Sequence, residues 1–205
     1  MGHRIPSTER LADPGTLLAT THPVGDGLRV RLRLARPGDR AQLRAFLEAL
    51  SPGTRERRFL HPMPIVPEAM VRHFAFYDPR ERLVVVATAM LGGDSLEEIV
   101  GLADVAHLGT GGGLRRRAVP PFDDIAELAV VVDDDQQGRG VGKLLTEVIA
   151  SLAVQQGATR LKAELSEHNK AMLRLMQRLG RTMSTVENGV SVVYATLPAA
   201  GRRAA

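Results

Sequence analysis

Three groups of residues in this chain have the types and spacing to do chemistry. Glu127 is the single carboxylate in an otherwise apolar run, Ile125 to Val132, which reads IAELAVVV. A carboxylate drawn out of water gains affinity for a proton, so one placed here is suited to general-base work. It could equally be held in a pair with one of the many arginines. The second group is Gln137-Gly138-Arg139-Gly140-Val141-Gly142, a glycine-rich turn that runs straight into helical periodicity. A helix starting in such a turn presents unpaired N–H groups and the positive end of its dipole. Glycines let a ligand approach that backbone, so the turn is a candidate phosphate cradle. The third is Asn169, which opens a predicted helix directly after a predicted strand.

Simple nucleotide sites do not fit the turn. The pattern G-x-x-x-x-G-K-[ST] would need glycine at Gln137 and a hydroxyl at Leu144, and G-x-G-x-x-G fails at Lys143 and at Leu145. A turn that joins strand to helix without any ligand is the plain alternative.

These residues need a frame. Ile125 to Val132 is apolar and β-branched and reads as a buried strand, ended by Asp133, Asp134 and Asp135. Val141, Leu144, Leu145, Val148, Ile149 and Leu152 recur at helical spacing and form one face. Upstream, Leu28 to Ala35 alternates arginine with aliphatics as a half-buried strand. A helix capped near Asp39 follows, then one capped by Ser51-Pro52, then one over Glu68 to Tyr77. Arg82 to Leu91 and Glu97 to Leu108 form a hairpin about Gly92-Gly93-Asp94, and Gly109 to Phe122 is a long loop. Downstream, Arg160 to Leu165 is a strand, Asn169 to Leu179 a helix ended by Gly180, and Thr182 to Glu187 pairs with Val190 to Leu197 about Asn188-Gly189. Residues 1–27, polar with Pro6, Pro14 and Pro23, read as a mobile or loosely docked arm, and residues 198–205 as a flexible tail.

Composition narrows the function. The 205 residues, 44% of them hydrophobic, suffice for one domain over 28–197. With Cys 0, a cysteine nucleophile, a thiolate metal site and a disulfide framework are excluded. The six histidines show no i, i+4 pair, so no metal is expected. No apolar run approaches the ~20 residues of a membrane helix, and the start lacks the apolar core of a signal peptide, so a cytoplasmic location and no membrane partner are expected. The net charge of +4 suits an anionic ligand, whereas 3% aromatics argues against nucleic-acid binding by base stacking. Asp123, Asp124 and Asp133 to Asp135 could attract a cationic amine.

The turn matches [QR]-x-x-G-x-[GA] at Gln137, Gly140 and Gly142, and between a strand and a helix it resembles the acetyl-CoA pyrophosphate loop of the GNAT N-acetyltransferases. Asn169 in N-x-x-M-x-x-L-x-x-x-L-G is a second point of likeness. LSPGTRERRF (Leu50 to Phe59) together with AELAVVV (Ala126 to Val132) is similar to the catalytic domain of bacterial protein-lysine acetyltransferases of the Pat type, which modify acyl-CoA synthetases. The resemblance implies an α/β (α+β) fold with a mixed, mostly antiparallel central sheet flanked by helices. It implies acetyl-CoA as co-substrate, held by backbone N–H groups from Gln137 through Gly138, Arg139, Gly140 and Val141 to Gly142. Main-chain groups of Val130 and Val132 would bond the pantetheine arm where the strand splays from its neighbour, and Asn169 would contact the cofactor or its thiol. Glu127 stands where Pat-type enzymes carry a general-base carboxylate.

The implied chemistry agrees with the residues. A lysine amine, pKa ~10.4, must lose a proton before it attacks a thioester. Met176 stands where many relatives place a tyrosine acid, and Arg181 where an aromatic residue is common. A thiol, pKa ~8.5, can leave without a dedicated acid. The acceptor implied is a protein lysine, such as one on an acyl-CoA synthetase. A small-molecule amine acceptor, or a non-catalytic acyl-CoA sensor, stays open at this point, as does the choice between monomer and homodimer.

Overall fold

The structure, a computed structural model, describes residues 11–91, 96–107, 125–166, 169–187 and 190–198. The turns expected at Gly92-Gly93-Asp94 and Asn188-Gly189, the loop Gly109 to Phe122 and most of the tail lie outside the described residues.

Eight strands form one sheet. They are β1 (Thr21–Pro23), β2 (Arg29–Leu34), β3 (Arg82–Met90), β4 (Glu97–His107), β5 (Ile125–Val132), β6 (Arg160–Leu165), β7 (Thr182–Glu187) and β8 (Val190–Thr196). Their spatial order is β1-β2-β3-β4-β5-β6-β8-β7. Every neighbouring pair is antiparallel except β5 with β6. The sheet is thus mixed and mostly antiparallel, as the resemblance implied. The one parallel pair needs a crossover, and α5 (Val141–Gln155) supplies it.

Helices cover both faces. On one, α1 (Pro14–Ala19), α5 and α6 (Lys170–Leu179) bury Leu17, Leu145, Ile149 and Met176 against Val85, Leu128 and Val193. On the other, α2 (Arg40–Ala49) and α4 (Glu68–Ala75) bury Leu43, Leu47, Val71 and Phe74 against Val84, Val86 and Leu102, with α3 (Pro52–Phe59) beside β5. The apolar stripe expected on α5 is the stripe that is buried, with Leu144 and Leu152 only partly covered.

Two expectations are corrected. Residues 11–27 are not a loose arm. Asp13 caps α1 by accepting the Thr16 N–H at 2.9 Å, Leu17 is buried beside α5, and β1 extends the sheet edge by pairing with β2. A six-residue helix and a three-residue strand are too short to show a period, so their order comes from docking rather than from local pattern. Asp39 is the N-cap residue of α2, where the cap was expected, but its side chain makes no capping bond to that helix. It accepts the Arg36 N–H at 2.9 Å and is gripped by both Arg33 guanidinium nitrogens at 2.6 and 2.9 Å. Burial opposes ionisation there, but Arg33 and the Arg36 N–H outweigh it and hold the Asp39 carboxyl below its usual range.

Gly180 ends α6 with its backbone pressed on β8, so that an added Cβ would lie 2.0 Å from the Thr196 carbonyl oxygen. Gly180→Ala is therefore expected to destabilise the fold by about 3 kcal/mol, the upper part of the overpacking range. Thermal denaturation checks this, and an unchanged Tm would mean that the α6–β8 corner yields.

Candidate active site

β5 is the wall shared by two clefts. The Asp133 N–H donates to Val100 O at 3.0 Å, which sets the parity of the β4–β5 ladder. Odd-numbered β5 residues bond to β4, and even-numbered ones turn their main-chain groups toward β6. Pairing with β6 runs only from Ile125 to Glu127. Beyond it the strands part, and the main chains of Val130 and Val132 face a gap. This is the splay that the resemblance implied. The Val132 carbonyl is partly engaged, because it accepts Gln137 Nε2 at 3.1 Å.

The gap opens into a cleft of about 360 Å³ lined by Val130, Val132, the glycine turn and Asn169. Gly140, the N-cap of α5, has φ +101°, and no side chain caps the helix. The first-turn N–H groups of α5 therefore have no intrahelical acceptor and lie at the cleft. Lys143, Arg57, Arg174 and Arg178 line the same cleft. Cations, an uncapped helix start and an unpaired strand edge together fit a long thioester-bearing ligand with phosphates at one end. Acetyl-CoA is such a ligand.

Not every residue of the turn is used alike. The Gln137 N–H is spent on Asp134 O at 3.4 Å. Its side chain braces the loop, donating to Thr54 Oγ1 at 3.3 Å as well as to Val132 O. The Arg139 carbonyl accepts the Gly25 N–H at 2.8 Å, and its side chain turns away toward Asp26, 3.5 Å off. Val141 is fully buried by its side chain and offers only main chain. Gly138, Gly140 and Gly142 line the cleft. Asn169 caps α6 by accepting the Met172 N–H at 3.1 Å, so Nδ2 is its group left to donate.

A latch that the sequence reading missed holds the turn in place. Asp134 accepts from Ser51 N at 2.8 Å, Ser51 Oγ at 2.9 Å and Thr54 Oγ1 at 2.6 Å, tying the start of α3 to the glycine turn. Burial alone would raise the Asp134 pKa. The hydrogen bonds from Ser51 and Thr54, with Arg57 nearby, override this and hold it below the usual range. Asp134→Ala is expected to raise the KM for acetyl-CoA about tenfold with little change in kcat, consistent with losing hydrogen bonds to a charged group. The depressed pKa fixes the pH dependence of stability. The contribution is present above the ordinary carboxylate value, ~3.9, and is lost as pH falls through the lower folded value. The Tm gap between wild type and Asp134→Ala should close in that acid window.

The second cleft, about 540 Å³, lies on the α3–α4 side of β5 and contains Glu127, Ala129, Phe59, Phe74 and His73. At its floor Asp104 of β4 is nearly fully buried and bonds both Arg58 and Arg82. Arg58 lies 4.9 Å from the Phe59 ring centroid and also lines the first cleft, so it stands where the two meet. Burial pushes the His73 imidazole down, Arg82 adds to this and Asp104 opposes it, so the ring is neutral at pH 7.

Glu127 is half-buried rather than enclosed in apolar surroundings, because Glu127 and Ala129 line this cleft while their neighbours Ala126 and Leu128 face the core. Nor is it held in a pair: among the described residues it makes no hydrogen bond or ion pair. Register sets its neighbours. Arg82, Ala106, Glu127, Lys162 and Tyr194 form one rung across five strands. Lys162 feels the Glu127 charge, though its Nζ bonds Glu164 at 2.7 Å. Met176 is fully buried in the core and is not part of either cleft. Among the described residues no helix is long and apolar enough to cross a membrane.

The model of the acetyltransferase (GNAT) family matches residues 44–180. An acetyltransferase of Pseudomonas aeruginosa is 29% identical over 155 residues, covering 76% of this chain and 76% of that protein. The acetyltransferase Pat of Mycolicibacterium smegmatis is 35% identical over 74 residues, 36% of this chain and 22% of that longer protein. The crystal structure of the GNAT domain of S. lividans PAT superposes with a TM-score of 0.74 at 29% identity, covering 87% of this chain and 96% of that one. The splayed strand, the glycine turn at a helix start and these matches converge: the chain belongs to the GNAT acetyltransferase family, whose members transfer acetyl from acetyl-CoA to an amine.

Proposed function

We propose that this protein transfers acetyl from acetyl-CoA to a protein lysine, with Glu127 as general base. The observation that carries the reading is the pairing of clefts. One side of β5 fits acetyl-CoA, the other holds a carboxylate without a partner among the described residues, and the two meet at Arg58. The likeness to Pat-type domains favours a lysine on a protein, with acyl-CoA synthetases as the first acceptors to try.

Acetyl-CoA brings the electrophile, an acetyl thioester. The main chain of Val130, Val132 and the turn from Gly138 to Gly142 binds and aligns it, and Asn169 Nδ2 donates at the thiol end. Glu127 accepts the proton that the lysine ammonium must shed, directly or through one water. A main-chain N–H at the splay donates to the carbonyl oxygen as negative charge develops there. No side chain at the Met176 position can donate a proton, so the thiol leaves on its own acidity.

The test is thiol release from acetyl-CoA with acyl-CoA synthetases and a panel of small amines as acceptors. Turnover with a synthetase, mapped to one lysine, supports the reading. Faster turnover with a small amine would replace the protein acceptor. Acetyl-CoA binding with no acceptor at all would favour a sensor.

A further inference from the structure

We propose that the cleft behind the glycine turn, opposite the one that fits acetyl-CoA, is a second ligand site for a small anionic metabolite that also carries a hydrogen-bond donor. The cleft measures about 550 Å³. Register explains why charged and hydroxyl side chains converge there. Thr21 pairs with Arg31, Arg31 with Thr88, and Met90 with Glu97. Alternation puts Arg29 on the same face, so four successive strands present polar residues on one side. Gln42 Nε2 donates to Glu97 O at 3.0 Å, which sets α2 beside Glu97 at the border of this cleft.

Three features point to a ligand. The guanidinium groups of Arg29 and Arg31 make no hydrogen bond or ion pair among the described residues. Two free guanidinium groups on alternate residues of one strand suit a carboxylate or a phosphate. Arg139 adds a third, loosely matched to the exposed Asp26 at 3.5 Å. Gln136 is the decisive group. It is only 8% exposed, it lines this cleft, and its Oε1 is buried with no donor among the described residues. A buried acceptor without a partner costs free energy that a ligand hydroxyl or amine would recover. Asp26 and Glu97 on the rim further favour a ligand with a donor end over a bare anion.

The site is linked to the first cleft. Gln136 lines both, and Arg139 belongs to the turn while its carbonyl is fastened to Gly25 N at 2.8 Å. A ligand that tightens this wall changes acetyl-CoA affinity, and acetyl-CoA changes the ligand's affinity by the same factor. This linkage rests on the acetyl-CoA reading above, whereas the site itself does not.

The experiment is calorimetric titration at fixed ionic strength with glycerol 3-phosphate, citrate and inorganic phosphate. It is run with the first cleft filled by saturating CoA, after CoA binding has itself been measured. One of the two organic probes is expected to bind, and which one tells phosphate from carboxylate. Arg29→Ser with Arg31→Ser is expected to weaken it about tenfold or more. Gln136→Leu is expected to weaken the organic probe while leaving inorganic phosphate unchanged. Absence of binding by all three probes, or equal binding to the double variant, would overturn the site. A protein that binds CoA but no probe loses this site and keeps its proposed function, and the reverse result separates them the other way.

Discussion

Glu127→Gln is expected to lower kcat/KM for acetyl transfer by about 10²- to 10⁴-fold, the contribution of a positioned general base. Glutamine keeps the shape and one hydrogen-bonding oxygen but cannot take a proton. Acetyl-CoA affinity should be unchanged, because Glu127 faces the α3–α4 cleft whereas the acetyl-CoA determinants lie past the point where β5 leaves β6. Stability should also hold, since Glu127 has no partner among the described residues to strand. Steady-state rates with a synthetase acceptor, alongside CoA titration of the same variant, give both quantities. Loss of rate with retained binding is the expected pattern. Full rate in the variant would leave the family assignment intact and move the base elsewhere, with the neutral His73 in the same cleft next in line.

The frame of the site was legible in the sequence because its elements carry strong periods. The α5 stripe, the alternation of β2 and the apolar β5 each point to one face, and the structure buries those faces. What was not legible is what register creates. Asp104 sits in IVGLADVA as a lone carboxylate in an apolar strand, the very pattern that singled out Glu127. One of the two is clamped by two arginines and the other bonds none among the described residues, and nothing local separates them. The difference comes from β3 placing Arg82 and α3 placing Arg58 over Asp104, contacts 22 and 46 residues away in the chain. The Asp134 latch is of the same kind, joining a loop to a helix start some 80 residues earlier.

Asp104 therefore carries the largest expected effect on stability. Asp104→Ala is expected to cost about 3–5 kcal/mol, the price of breaking a buried ion cluster by removing one partner. Arg58 and Arg82 would be left as like charges side by side, with side chains only 11% and 23% exposed, and Glu127, which lines the same cleft, bonds neither of them among the described residues. For a chain of this length the Tm should fall by on the order of 10 °C. The mechanism makes a further demand. Replacing the whole cluster, Asp104→Leu with Arg58→Met and Arg82→Met, removes the stranded charge and should return most of the lost stability, because apolar replacement of a buried cluster is often neutral or better. Recovery in the triple variant with loss in the single one identifies unpaired buried charge as the cause. A fall of only a degree or two in Asp104→Ala would mean that water reaches both guanidinium groups through the open cleft. The floor of the Glu127 site would then be held by Phe59, Phe74 and the strands rather than by its ions.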